Sequence, residues 1–586
     1  MNQQVKYFGV DYYPEHWPED RWPVDADMMR DIGFNLVRMA EFAWQKMETS
    51  EGTFDFAWLA RALETLHARG ISAVLGTPTA AAPAWLMQAH PEIFRVDEHG
   101  HRASFGARQF MCVNAPAFRQ ASRRIVTAMA RELGQRDSVI AWQIDNEFGV
   151  LCYCDICRSE FQQWCLEKYG SLEALNHAWG TVFWSQTYTD WAQIPVPMTT
   201  AQPPNPGLYL DYRRFMADSY ATFQREQIRI IREHSPGRPI THNFMGFYPD
   251  ALDYHKLAED LDFVSWDNYP QVWSPEVSSG VSLSHDFIRG MKKKPFWVME
   301  EQSGPGGWGT MGTMPRPGQI RQWTRQAIAH GAEGIVYFRW RPARFGAEQY
   351  WHGILNHDGT PGRRFEEIKQ IAEDIRRGDC PKPPRKPGIA LLVDADSRFA
   401  LKNQPGNPEF SYYEHVLHYY RNLEVQVGVL DVIPADSDLG GYHLVIAPTL
   451  YVLKPEVALK LRDYVHAGGV LITTFRTGVK DEYNRIVNEP LPGLLREVCG
   501  VEVEDYHSPF ADEVNKIKGR AGKLPRTPSS ARIWLDVLKP TGAEVLAEYH
   551  TGFASGYPAI TMNRFGDGRA IYIGTWVERQ IIVGMT

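Results

Sequence analysis

Up to about residue 375, short apolar runs alternate with longer stretches whose apolar residues recur at helical spacing. Residues 139–149, Val-Ile-Ala-Trp-Gln-Ile-Asp-Asn-Glu-Phe-Gly, show the pattern most clearly. Val139, Ile140, Ala141, Trp142 and Ile144 make a nearly continuous apolar run, and the chain then turns polar at Asp145, Asn146 and Glu147. A parallel barrel strand has this profile, being covered on both faces and chemically active where it emerges. Further strands are predicted at 7–13, 35–42 and 71–77 before it, and at 239–243, 263–269, 296–300 and 334–341 after it. Helices are predicted at 25–32, 56–69, 118–135, 211–233 and 317–330. About eight β-then-α units predict a (β/α)8 TIM barrel over residues 1–380, with its site at the strand C-termini. A doubly wound sheet is the alternative, but no G-x-G-x-x-G stands at a strand–helix junction to support it.

Residues 380–387, Cys-Pro-Lys-Pro-Pro-Arg-Lys-Pro, can neither continue a helix nor sit inside a sheet, and they mark a boundary. Beyond it a smaller α/β domain is predicted over 388–545, with strands at 389–393, 425–429, 443–446 and 469–473 and helices near 412–422 and 455–466. A short C-terminal β segment is predicted over 546–586, with paired strands around the turn Gly566-Asp-Gly568. The second domain carries no nucleophile–base set, so scaffolding or assembly is its expected role.

With 586 residues, two or three domains are expected; 44% hydrophobic and 23% charged residues fit a globular enzyme. The net charge of −8 argues against general nucleic-acid binding. The first residues, Met-Asn-Gln-Gln-Val-Lys-Tyr, offer neither a basic nor an apolar signal region, and no apolar run is long enough to cross a membrane. The expected location is the cytoplasm, where the seven Cys are reduced thiols or metal ligands. Nineteen Trp and 26 Tyr suit sugar rings, although core packing accounts for most aromatics.

Residues 294–304, Lys-Pro-Phe-Trp-Val-Met-Glu-Glu-Gln-Ser-Gly, repeat the profile of an apolar run ending in acid. Acids at a strand-to-loop turn are often merely solvated; two such exits on one barrel rim can instead face each other across a sugar. Retaining glycosidases need two carboxyls about 5–5.5 Å apart, a nucleophile that is ionised and an acid/base that holds its proton. Asn146, beside Glu147, is placed to bond a sugar hydroxyl near the reacting carbon. Strand alternation does not choose between Glu300 and Glu301, nor exclude Asp145 in favour of Glu147. A third constellation is the C-x-C-x2-C run Cys152, Cys154 and Cys157, which barrel topology can bring to Cys112 as a closed structural zinc site. The alternative is a set of free thiols, and that is the expectation for Cys165, Cys380 and Cys499.

The segments Gln143-Ile-Asp-Asn-Glu147, Trp297-Val-Met-Glu300, Gly304-Pro-Gly-Gly-Trp308 and Tyr337-Phe-Arg-Trp-Arg341, with Gly9-Val-Asp-Tyr-Tyr-Pro-Glu-His-Trp17, together resemble glycoside hydrolase family 42, the β-galactosidases of clan A. The resemblance implies hydrolysis of terminal non-reducing β-D-galactose residues with retention, Glu147 as acid/base and Glu300 as nucleophile. It implies β-galactoside oligosaccharides as substrates and Arg108, Asn146, Trp308 and Glu348 as galactose contacts. His352 stands four residues after Glu348, where the family's His stands three after its Glu and Trp351 fills that place here. Glu301 replaces a residue that is usually neutral. The family's zinc-binding pattern falls on Cys112, Cys152, Cys154 and Cys157, and no organic cofactor is implied. A homotrimer is implied, in which Trp184 closes a neighbour's pocket and the second domain has an amidotransferase-like fold without that chemistry. Family members commonly carry a further small β domain; with Thr586 last, it is expected to be shortened or missing. The alternatives are a clan A glycosidase for β-glucosides, β-fucosides or α-L-arabinosides, and a non-catalytic sugar-binding protein.

Overall fold

The computed structural model describes residues 5–270, 278–382 and 387–585. The prolines read as a linker at 380–387 therefore lie partly outside the described residues. Two compact units divide the chain, Met1–Glu160 with Phe215–Pro384 and Phe161–Arg214 with Arg385–Thr586.

The first unit holds a parallel barrel. Its strands are β1 (Tyr7–Asp11), β2 (Leu36–Met39), β3 (Ser72–Gly76), β4 (Val139–Gln143), β5 (Ile240–Thr241, resumed at Asn243–Phe244), β6 (Ser265–Asn268), β7 (Phe296–Gln302) and β8 (Ala332–Phe338). Each pairs with the next, and β8 returns to β1 through Tyr7↔Gly334 and Val10↔Tyr337. β5 is interrupted at His242; its first half pairs with β4 and its second with β6, which closes the ring. Leu36, Val74, Ala141, Trp297, Met299 and Val336 form one buried cluster. Residues from five strands, several of them not neighbours, meet only in the lumen, so the barrel is packed rather than hollow.

Helices fall between the strands where apolar spacing places them. Among them are α1 (Trp22–Ile32), α2 (Ala57–His67) and α3 (Pro116–Leu133). α1 has Pro23 in its first turn and ends at Gly33, whose φ of 103° suits glycine. Between β4 and β5 the chain forms α4 (Asp155–Tyr169), α5 (Leu172–Trp179) and the long α6 (Pro206–His234), of which only the last had a visible period. Later come α7 (Ser278–Lys292), α8 (Gln319–Ala329) and α9 (Arg363–Arg377).

The expected barrel domain 1–380 is thus interrupted, because residues 161–214 group with the C-terminal unit. Polar contacts inside that unit explain the grouping. Arg214 makes a two-pronged pair with Asp396 at 3.0 and 2.7 Å, Arg213 lies 4.5 Å over the Phe399 ring, and Asn484 Nδ2 donates to the Pro206 carbonyl at 3.0 Å. Such paired, half-buried cations are worth more than exposed ones.

The second unit is built on one sheet. β9 (Ile389–Val393), β10 (Asp431–Pro434), β11 (Leu444–Ala447) and β12 (Val470–Thr474) are parallel. They are followed by β13 (Val501–His507), β14 (Asn515–Gly519), β15 (Ser529–Pro540), β16 (Glu544–Thr551), β17 (Pro558–Phe565), β18 (Gly568–Ile573) and β19 (Thr575–Val577). The order is 10-9-11-12-18-17-16-14-15-13, with β19 on β15. The division expected at 545/546 runs through this sheet, since β18 pairs in parallel with β12 and antiparallel with β17. The strand expected at 425–429 is instead the end of helix Tyr412–Val427, which stops at Gly428. Val425 and Val427 are exposed, and the buried Leu430, Val432 and Ile433 supply the strand that follows.

Candidate active site

Arg38 organises the C-terminal end of the barrel. It lies on β2, buried at every position, and is itself fully buried. A buried guanidinium must be paired; both terminal nitrogens of this one are held, while its Nε is buried without a partner. Nη1 donates to Glu300 Oε1 at 2.7 Å and lies 3.4 Å from Asp11 Oδ1 and from Glu41 Oε1; Nη2 donates to Asn146 Oδ1 at 2.5 Å. Gly76 at the end of β3 leaves room for this arrangement, as a side chain there would put its Cβ 2.5 Å from the Glu41 Cβ.

The exit of β4 is a strained turn, with Asp145 at φ 51° and Glu147 at φ 49°. Neighbouring strands hold it. Thr77 Oγ1 accepts from the Asp145 amide at 2.8 Å, Asn243 Oδ1 accepts from the Glu147 amide at 3.2 Å, and Gln109 Nε2 donates to the carbonyls of Asn146 and Glu147 at 2.7 and 2.8 Å. Asp145 is consumed in this turn, bonding the Thr79 hydroxyl and the Asn146 amide. Glu147 is presented inward, where Oε2 accepts from Arg108 at 2.7 Å and from Asn146 Nδ2 at 3.2 Å.

β7 settles which of its two glutamates faces the lumen. Trp297 and Met299 are inward, so plain alternation would send Glu301 inward as well. A bulge between Val298 and Glu300 shifts the register against β6 and turns Glu300 in instead. Glu300 Oε2 accepts from the Tyr269 hydroxyl while Oε1 takes Arg38. Burial pushes the Glu300 carboxyl up, to about 7, and Glu147 adds to the rise, while Arg38, Tyr269 and Arg108 oppose it. One carboxylate oxygen from each of Glu147, Glu300 and Asp267 lies within 4.8 Å of the other two.

Glu301 is registered with Asn268 and with Tyr337, whose hydroxyl meets Thr324 of α8 at 2.6 Å, so it faces the helix layer. It is fully buried, and both its oxygens accept from Asn268 Nδ2, at 3.2 and 3.1 Å. Burial lifts its carboxyl to about 8. Unfolded, a glutamate ionises near 4.5, so the folded state loses stability as pH rises from there to about 8. Glu301→Gln removes that penalty, because a glutamine can also donate to Asn268 Oδ1, which has no partner. The variant is expected to melt higher at pH 7.5 than wild type, by an amount corresponding to about 4 kcal/mol, and by only about 1 kcal/mol at pH 5. Melting shifts of the same size at both pH values would remove the titration account.

The rim carries the remaining candidates. Trp308 is 46% exposed and lies 5.6 Å from the Trp351 ring. Glu348 accepts from Arg339 Nη1 at 3.1 Å, and Arg339 Nη2 lies 3.3 Å from His16 Nδ1. Trp351, at the spacing where a His was expected, is buried with Tyr13 and Phe338 and packs edge-on to Tyr269 at 4.8 Å. The His352 ring turns back to the Tyr350 carbonyl at 3.1 Å. Trp184 belongs to the second unit, is 67% exposed and adjoins the exposed Val182 and Phe183.

The sulfurs of Cys112, Cys152, Cys154 and Cys157 lie within 4.8 Å of one another, Cys112 Sγ being 3.4 Å from Cys157 Sγ and 3.7 Å from Cys154 Sγ. A tetrahedral ion with Zn–S of about 2.3 Å separates its sulfurs by about 3.8 Å, so the cluster fits such an ion with small adjustment. No disulfide joins any of the seven cysteines.

Residues 11–377 match the β-galactosidase family, and residues 388–585 match the β-galactosidase trimerisation domain. The chain belongs to glycoside hydrolase family 42. A β-galactosidase of Haloferax lucentense is 40% identical over 97% of this chain and 87% of its own length. One of Clostridium cellulovorans is 41% identical over 97% of this chain and 86% of its own. The crystal structure of a β-galactosidase from Bacillus circulans sp. alkalophilus superposes with a TM-score of 0.95 at 33% identity, covering 99% of this chain and 87% of that one.

Within this family member, the fold brings Arg108, Asn146, Glu147 and Glu300 together directly. Arg38, Tyr269, Asn243 and Asp267 complete the centre without having been singled out in the sequence. Arg38 had a visible signal, being a charge inside Leu-Val-Arg-Met, which has to find buried partners.

Proposed function

We propose that this protein is a retaining β-galactosidase that removes terminal non-reducing β-D-galactose by double displacement. The observation that carries the reading is that one carboxylate oxygen of Glu147 and one of Glu300 lie within 4.8 Å of each other at the C-terminal end of the barrel, close enough for the shorter of the two separations glycosidases use. Retention uses carboxyls about 5–5.5 Å apart, whereas inversion needs about 6.5–9.5 Å to admit a water. Glu300, held as the anion by Arg38 and Tyr269, attacks the anomeric carbon. Glu147 gives its proton to the departing oxygen as the glycosidic bond breaks. Glu147 then takes a proton from water, which attacks the same carbon and releases Glu300. Asn146, Arg108, Trp308 and Glu348 bind the galactose ring, and His352 serves at its edge. The test is proton NMR of the first sugar released from 4-nitrophenyl β-D-galactoside. The β-anomer is expected first; the α-anomer first would mean inversion, and no release would mean another sugar or no catalysis.

The four clustered cysteines hold a structural zinc ion, which has no open position for chemistry. Metal analysis is expected to find one zinc per chain, and Cys154→Ser to lose it and melt several degrees lower. A metal-free wild type with the same melting point would exclude this role. The trimerisation-domain match supports a homotrimer, in which Trp184 of one subunit closes the pocket of another. No helix among the described residues is long and apolar enough to cross a membrane.

A further inference from the structure

A third carboxyl stands beside the two glutamates. Asp267 lies on β6, registered directly with Glu300 on β7, and its carboxyl is within 4.8 Å of both Glu147 and Glu300. Only 5% of the residue is exposed. Oδ2 accepts from Asn243 Nδ2 at 2.6 Å, and the same amide nitrogen lies 2.9 Å from Asn146 Oδ1. Oδ1 is buried and bonds nothing. The charged groups that act on it are Glu300 on β7, Glu147 after β4, Arg38 on β2 and Asp11 on β1. Arg38 is already shared among Glu300, Asp11, Glu41 and Asn146 and makes no bond to Asp267.

A lone buried oxygen on an ionised carboxylate would be a costly orphan beside two further acids. A protonated one is a donor with two acceptors close by. We propose that Asp267 is held as a neutral carboxylic acid whose Oδ1 hydroxyl donates to whichever of Glu147 and Glu300 carries the charge. This rests on the double-displacement reading, in which the negative charge alternates. Before attack it lies on Glu300. In the covalent intermediate Glu300 is an uncharged ester and Glu147, having given up its proton, is the anion. A donor within reach of both follows the charge by a side-chain rotation, and Asp267 itself neither gains nor loses a proton over the cycle. Burial, with Glu300 and Glu147 beside it, holds its carboxyl well above the ordinary aspartate range, in agreement with the geometry.

The experiment is Asp267→Asn, whose amide keeps an acceptor for Asn243 and offers N–H donors in place of the hydroxyl. The wild-type-minus-variant infrared spectrum at pH 7 is expected to show loss of a protonated carboxyl band, without any substrate present. kcat/KM on whichever aryl glycoside the enzyme cleaves is expected within about tenfold of wild type, with its acid limb unmoved. Asp267→Ala, which has no donor, is expected to lose about a hundredfold or more in kcat in both glycosylation-limited and deglycosylation-limited substrates. Loss of an ionised carboxylate band in Asp267→Asn would overturn the proposal. So would an acid limb lowered by about one unit or more, the effect of deleting a nearby negative charge. Absence of galactoside turnover would sink the broader reading but leave the infrared result to stand or fall alone.

Discussion

Glu300→Ala is expected to reduce turnover of 4-nitrophenyl β-D-galactoside by on the order of 10⁴–10⁶-fold, the scale seen when an enzyme loses its nucleophile. Adding azide is expected to restore part of it and to yield the α-galactosyl azide. The truncation leaves a small cavity below the anomeric carbon, beside the Arg38 guanidinium that had held Oε1 at 2.7 Å. An anion fits that site, and it attacks with a single inversion. Glu147→Ala should behave in the complementary way. Substrates with good leaving groups still form the covalent intermediate without an acid; azide then replaces water on the other face and gives the β-azide. If Glu300→Ala kept its activity while Glu301→Ala lost it, the assignment on β7 would be reversed. The structure argues against that outcome, because Glu301 faces α8 through Asn268 and Tyr337.

The barrel was legible because its strands are short apolar runs that each end in chemistry, and helical spacing is plain between them. The Glu300/Glu301 choice was not legible. Alternation from Trp297 and Met299 points to the wrong residue, and only the bulge between Val298 and Glu300 corrects it. Bulges leave little trace in a single sequence. Asp145 and Glu147 were likewise inseparable until their backbone appeared, both at positive φ, with one side chain spent on holding the turn. In the second unit, residues 425–429 alternate like a strand, yet helix propagation from Tyr412 carries through Val427 to Gly428. Residues 161–214 gave no sign of leaving the barrel, since the pairs that group them with the second unit join Arg213 and Arg214 to residues nearly two hundred positions away.

Arg38→Met is expected to move the acid limb of kcat/KM upward, past pH 8, and so to cost at least about tenfold at pH 6.5 through the ionised fraction alone. The sign follows from the charges. In the native site burial raises the Glu300 carboxyl to about 7 and Arg38 is the largest influence lowering it. Without that cation Glu300 stays protonated to a higher pH, so the loss is greatest in acid and smallest in alkali. Stability moves the opposite way with pH. Removing one partner from a buried ion cluster costs about 3–5 kcal/mol when the others are ionised, and less when protons neutralise them. The variant should therefore be most stable in acid, where it is least active. Arg38→Lys should fall between the two, since one ammonium replaces the charge but cannot reach Glu300 and Asn146 together as the two guanidinium nitrogens do, at 2.7 and 2.5 Å. A folded Arg38→Met enzyme with an unmoved acid limb would show that Glu300 owes its ionisation to something else, and Tyr269, the other donor to Glu300, would be the next residue to change.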